Sequence, residues 1–437
     1  MTEKWNPKPL KRKQDQVGGQ EKGSVGRQGG PIGTDYLVPV SRPLIIHAPM
    51  NTEHLGGTPR VAELDGLRGL AAALIVAVHS LRGFHAAGAV DGLIFSVGRF
   101  GWIGVDLFFV LSGYLITGLL LDAQGSRHGV VAFYARRALR IFPPYYFLLL
   151  LLFVIGPAAG VNLAGRSAAD WPWFALYGSN LLMLQGTWPD PALVPLWSLA
   201  VEEHFYLLWP LLLHAVPERR RLATIASLAL GSAVLRAALL VAGWDKGDVY
   251  VFTLTRLDGL ALGSALAVVM RRRGPALAWL RTTAGPVAGS AVVAGLVLVA
   301  FNRVSWEEWN RPALAVGFLA VALGMTAILA FVVTREEGHG VRRVLAVTPL
   351  QAMGRLSYGM YLFHGPVIEM ARKGGLDPVS FSPQSGAVWP WALGFTIAVL
   401  LVTMALAEVS WRIVETPFLK LKRHFPYEQT DAAQANR

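Results

Sequence analysis

The chain reads as an all-α integral membrane protein of about ten transmembrane helices, with one re-entrant or interfacial segment in an outer loop. Three observations predict this. Of its 437 residues, 53% are hydrophobic and only 16% charged, and the mean hydropathy is +0.43, well above the range of soluble chains of this length. Several apolar runs reach the roughly 20 residues that span hydrocarbon. The net charge of +12 sits in short basic clusters between those runs, which is a topology signal and not a nucleic-acid surface. There is no cysteine, so disulfides and thiolate metal sites are excluded.

Residues 1–60 are rich in Gly, Lys, Arg, Gln and Pro, and Pro39 and Pro43 interrupt their short apolar stretch. With no continuous apolar core and cleavage site, they are expected to form a disordered cytoplasmic tail and not a secretory signal. Residues 61–422 form the membrane domain. Its apolar runs cover 67–87, 101–121, 139–156, 196–216, 222–241, 249–270, 284–301, 313–333, 350–371 and 390–414. Ten crossings put Arg136, Arg137 and Arg140, Arg219 to Arg221, Arg271 to Arg273, Arg342 and Arg343, and Lys420 to Arg423 on the cytoplasmic side. Both termini, including a C-terminal tail over 423–437, then share that side. A crossing at Trp171 to Leu184 would invert every later cluster, so this stretch of about 14 residues is expected to re-enter or lie at the interface.

The first run carries ions that lipid penalises. Arg68 and His79 are eleven residues apart, three helical turns plus about 20°, and so share one helix face ~16 Å apart. A charge at the centre of a span costs roughly 2.5–3.5 kcal/mol, and such residues are kept for a pathway, a partner or a chemical step. On a ten-span topology His79, Asp106, Glu202, Glu203 and Arg256 fall at comparable depth. Singly, Asp106 or Asp258 would serve as interhelical glue as readily as a site. Convergence from several spans favours a site. Ser357, Tyr361 and His364 follow i, i+4, i+7 and form a second polar stripe, for an acceptor or for packing.

These residues fall in ordered blocks: Leu64-Asp65-Gly66-Leu67-Arg68-Gly69 with His79; Gly104-Val105-Asp106-Leu107-Phe108-Phe109 through Ser112-Gly113-Tyr114; Arg136-Arg137-Ala138-Leu139-Arg140; Trp197-Ser198-Leu199-Ala200-Val201-Glu202-Glu203; Arg256-Leu257-Asp258-Gly259; Leu356-Ser357-Tyr358 to His364; and Glu415-Thr416-Pro417. Over about residues 60–422 the series resembles the membrane acyltransferase 3 family of integral O-acyltransferases. His204 departs from the pattern, since relatives usually carry Gln there.

The resemblance implies transfer of an acyl group, commonly acetyl, from an acyl-CoA donor to a hydroxyl of a sugar, with no permanently bound cofactor. A hydroxyl is a weak nucleophile and must lose its proton as the thioester carbonyl is attacked, a task suited to a neutral imidazole. His79 is the expected base, with Asp106 and either Glu202 or Glu203 as orienting carboxylates; an acyl-histidine intermediate would use the same residue as nucleophile. Acyl-CoA is polyanionic and cytoplasmic, so Arg68, Arg136 and Arg140 are the expected donor-binding residues, guanidinium forks being suited to phosphate oxygens. Arg256, Asp258, Ser357, Tyr361 and His364 are assigned to the acceptor or to structure. No metal site is expected, because the histidines lack ligand spacing.

The expected acceptor is an envelope or secreted glycan at the bacterial cytoplasmic membrane. A macrolide-type secondary metabolite is the alternative within the family. A proton-coupled transporter is the alternative from another class, but the repeated halves and broken helices it would call for are not found in the sequence.

Overall fold

The computed structural model describes residues 61–427, apart from 125, 127, 273, 302–304, 337 and 377–385. The tail expected over residues 1–60, and residues 428–437 of the C-terminal tail, lie outside the described residues. Ten long helices organise the described residues: α1 (Ala62–Ser80), α2 (Ile103–Asp122), α3 (Gly129–Leu150), α4 (Leu196–Ala215), α5 (Glu218–Val241), α6 (Leu257–Arg272), α7 (Pro275–Ala300), α8 (Arg311–Thr334), α9 (Thr348–Lys373) and α10 (Trp389–Ser410). No strand occurs among them.

Seven helical stretches are long and apolar enough to cross a membrane, and they contain α2, α3, α5, α6, α7, α8 and α10. The other three, α1, α4 and α9, have 19, 20 and 26 residues, which is length enough at 1.5 Å per residue. They are more polar because they hold Arg68 and His79, Glu202 and Glu203, and Ser357, Tyr361 and His364. The three helices that composition disfavours are those that carry the Arg68–His79 face, the paired glutamates and the Ser357–His364 stripe.

α3 begins ten residues before the apolar run expected from 139, so Arg136 and Arg137 lie within it, as Arg140 does, and not ahead of it. Its first turns are anchored by the buried Ala132 and Phe133, while arginine stems can lie along such a surface and carry their charge outward. Between α3 and α4, the stretch Trp171 to Leu184 forms two five-residue helices, Trp171–Ala175 and Ser179–Met183, neither long enough to cross. A short helix, Ala89–Arg99, leads into α2. Its buried Asp91 accepts from the Val388 and Trp389 amides at 3.1 and 2.8 Å, placing a carboxylate at the N-terminus of α10, where the helix dipole favours it.

Glycine sets how closely the site helices approach. A Cβ on Gly354 of α9 would collide with the Asp65 carbonyl, and one on Gly69 of α1 with the Leu350 carbonyl and the Gly354 amide. α1 and α9 are therefore in backbone contact there. α2 and α6 meet in the same way, Gly113 against Leu260 and Gly263 against Val110.

Candidate active site

Ten residues beyond Gly69 and Gly354, the α1–α9 contact brings two imidazoles together. His79 Nδ1 lies 2.9 Å from the Ile75 carbonyl and 3.3 Å from His364 Nε2, and the ring centroids are 5.0 Å apart. A carbonyl only accepts, so His79 Nδ1 carries the hydrogen. By the same reasoning His364 Nδ1, 2.6 Å from the Tyr361 carbonyl, is a donor, which leaves His364 Nε2 as an acceptor toward His79. In the neutral pair, His79 Nε2 keeps its lone pair. His364 is fully buried and His79 half-buried.

On the same face of α9, Tyr361 contacts the Ser198 hydroxyl at 2.5 Å and donates to the Pro195 carbonyl at 2.9 Å. Tyr361, Ser198, Ser357 and Tyr358 line a cavity of about 40 Å³ with Arg68 and Glu202, room for a few waters. Glu202 is held there by the Ser112 and Tyr206 hydroxyls, at 2.7 and 3.0 Å. Arg68 and Arg137 act electrostatically on Glu202 and on one another, and the Arg137 guanidinium lies 4.4 Å from the Tyr206 ring. One cation and one carboxylate thus line the cavity, with Arg137 an electrostatic neighbour outside the lining, and the histidine pair adjoins it through Tyr361, whose ring is 5.5 Å from that of His364. A larger void of about 530 Å³ between α3, α9 and α10 is lined by apolar residues and offers no group for chemistry.

Asp106, expected to orient His79, is engaged elsewhere: its Oδ1 accepts from Arg256 at 2.9 Å, and both side chains are essentially inaccessible. Asp258 pairs with Arg236 at 2.8 Å in the same state. At this burial a full positive charge is a far stronger partner for a carboxylate than a neutral imidazole. Arg256 is further enclosed by Phe318 and Tyr250, 4.2 and 5.0 Å from its guanidinium. Arg236 was not singled out from the sequence, although a lone arginine in an apolar run is the same signal that marked Arg68.

The arginines of α3 separate. Arg136 donates to the Lys422 and Phe425 carbonyls, both at 3.2 Å, and lies over the Tyr427 ring, so it ties down the C-terminal segment. Arg140 is the foremost cationic neighbour of Glu415. Arg137, absent from the expected donor set, is the member whose charge acts on Arg68 and Glu202. Glu203 forms neither a hydrogen bond nor an ion pair among the described residues and lies outside the cavity lining. Among the described residues no group of three or more His, Asp or Glu is disposed to hold a metal ion.

Comparison with known proteins agrees with the motif order. A family model described as an acyltransferase domain, that of the acyltransferase 3 family, matches residues 61–408. The chain is 31% identical over 379 residues to the peptidoglycan O-acetyltransferase OatA of Listeria monocytogenes, covering 82% of this chain and 56% of that protein. It is 31% identical over 373 residues to the putative peptidoglycan O-acetyltransferase YrhL of Bacillus subtilis, covering 81% and 54%, and 29% identical over 375 residues to the O-acetyltransferase OatA of Staphylococcus aureus, covering 82% and 57%. It spans about half the length of these curated relatives. No solved structure gives a significant match. With the family model matched across all ten long helices but the end of the last, this chain belongs to the acyltransferase 3 family.

Proposed function

We propose that the chain is a multi-pass O-acyltransferase of the bacterial cytoplasmic membrane that moves an acyl group, acetyl by family frequency, from cytoplasmic acyl-CoA to a sugar hydroxyl of an envelope glycan. The observation that carries this reading is the His79–His364 pair beside the cavity that holds Arg68 and Glu202. His79 Nε2 takes the hydroxyl proton as the oxygen attacks the thioester carbonyl; the carbon–sulfur bond breaks, and the imidazolium returns the proton to the leaving thiolate. His364 accepts the Nδ1–H throughout, which fixes the ring and stabilises its cation, the role first assigned to Asp106. Arg68 and Arg137 are the donor phosphate partners near the cavity, with Arg140 about one turn further along α3; Arg136, the other arginine expected to bind the donor, holds the C-terminal segment instead. The paired Asp106–Arg256 and Asp258–Arg236 hold the bundle in register.

The peptidoglycan named for the relatives makes a glycan the acceptor to test first. With the purified chain in lipid nanodiscs, labelled acetyl-CoA and a peptidoglycan oligosaccharide, free thiol should appear in step with acetylated sugar. His79→Ala should lower that rate by about 10²- to 10⁴-fold, as for a lost general base. Transfer by His79→Ala at the wild-type rate would remove His79 from the chemistry.

A further inference from the structure

Among the described residues one non-glycine residue has a left-handed backbone: Tyr177, with φ of 54°, at the break between the helices Trp171–Ala175 and Ser179–Met183. A bulky residue is held this way only when its surroundings over-determine it, and such positions concentrate at ligand sites. The determinants are visible. Tyr145 and Tyr146 of α3 donate their hydroxyls to the Phe174 and Ala175 carbonyls at 2.7 and 2.9 Å. The Tyr177 ring stacks on that of Tyr145 at 4.2 Å and 18°. His204, bonded to the Thr253 hydroxyl at 2.9 Å, also engages the Tyr177 backbone.

The hydrogen-bond inventory of this corner is unbalanced. Glu203 is the shared electrostatic neighbour of Tyr145, Tyr146, Tyr177 and Tyr358, yet none of them donates to it. Tyr145, Tyr146 and Tyr358 have committed their hydrogens to backbone carbonyls, the last to Ile141 at 3.0 Å. The Tyr177 hydroxyl is buried without a partner, its residue only 7% exposed. A carboxylate with both oxygens open, phenol oxygens with lone pairs to offer and one unused phenol hydrogen together form an acceptor-rich site. It is complementary to a ligand that brings several hydroxyls. An ammonium ligand fits less well, because Arg137 is the cationic neighbour of Glu203. Aromatic rings suit the apolar faces of a sugar ring, and Tyr358 joins this corner to the cavity beside the histidine pair.

We propose that Glu203 and Tyr177 form a sugar-binding subsite that recognises the acceptor's hydroxyls next to the reaction site. This rests on the glycan acceptor reading above, and the test separates the two. Binding of a peptidoglycan oligosaccharide to the full chain in nanodiscs is measured by calorimetry with no donor present. Tyr177→Phe should weaken binding about ten-fold, the worth of one buried hydrogen bond, and Glu203→Gln at least as much, since it replaces charge-assisted bonds. The Tyr177→Phe melting temperature should not fall, because the hydroxyl removed has no partner within the protein. Absence of sugar binding by the wild type, unchanged affinity in both variants, a drop in Tyr177→Phe melting temperature, or competition by choline with none by sugar would each overturn the subsite. Wild-type binding without acyl transfer would overturn the function proposed above and leave the subsite standing.

Discussion

A histidine can take a proton only at a nitrogen whose lone pair is free, and here the Ile75 carbonyl and His364 Nε2 both fix the hydrogen of His79 on Nδ1. His364 is fully buried and in turn held by the Tyr361 carbonyl, so it has one acceptor position to offer and one neighbour to offer it to. If this bond orients His79 and supports its cation, His364→Ala should lower kcat by about 10- to 100-fold, the cost of one hydrogen bond to a group that becomes charged. The donor KM should stay near its wild-type value, and His364→Gln, whose amide oxygen can accept, should recover part of the loss. Equal kcat losses in both variants, together with a lowered melting temperature, would mean that His364 only fills space. The spacing of Ser357, Tyr361 and His364 was legible in the sequence as one helix face. That the face would meet His79 was not, because no local pattern records which two of ten helices touch.

At the scale of the element, α1 and α9 owe their closeness to glycine. Gly66, Gly69 and Gly354 face backbone atoms of the neighbouring segment with no room for a Cβ, and the histidine contact lies along the same pair of helices. Gly354→Ala should push α1 from α9 and open the 3.3 Å His79–His364 contact. Over-packing of this kind costs about 1–3 kcal/mol or more, so transfer should fall at least ten-fold while the protein still inserts. Gly394→Ala, on α10 with open space around its Cα, should be silent in the same assay. Equal activity of the two variants would show that close approach at Gly354 is not needed. The break at Tyr177 belongs to this scale too: the residues of Trp171 to Leu184 were visibly too few to cross, but the left-handed turn depends on contacts from α3 and α4 that lie far off in sequence.

For the whole molecule, the three long helices outside the seven apolar stretches are α1, α4 and α9. An arginine, aspartate or lysine at the centre of a span costs about 2.5–3.5 kcal/mol of insertion free energy, so these helices rely on neighbours for their polar side chains. Counting them as spans gives ten crossings with the basic clusters on one side. Reporter fusions after Gly88 and after Trp188 should then both read as extracytoplasmic. A cytoplasmic signal at Trp188 would add or remove a crossing between α3 and α4, and would move the Arg219 to Arg221 cluster outside. The buried pairs Arg256–Asp106 and Arg236–Asp258 cross between α2, α5 and the start of α6. Breaking one by removing a single partner leaves an uncompensated charge, the costliest kind of defect in such an interior.

The sequence by itself determined the fold class, the ten apolar runs, the misfit ions Arg68 and His79, and the family, because hydropathy, helical period and motif order are all local in the chain. Only the tertiary structure decided the partners. It gave Asp106 to Arg256, set His364 against His79, laid Arg137 over Tyr206 and left Arg136 to the C-terminal segment. Each outcome follows from which helix faces pack within hydrogen-bonding reach, and in a buried interior the strongest opposite charge within that reach takes the carboxylate.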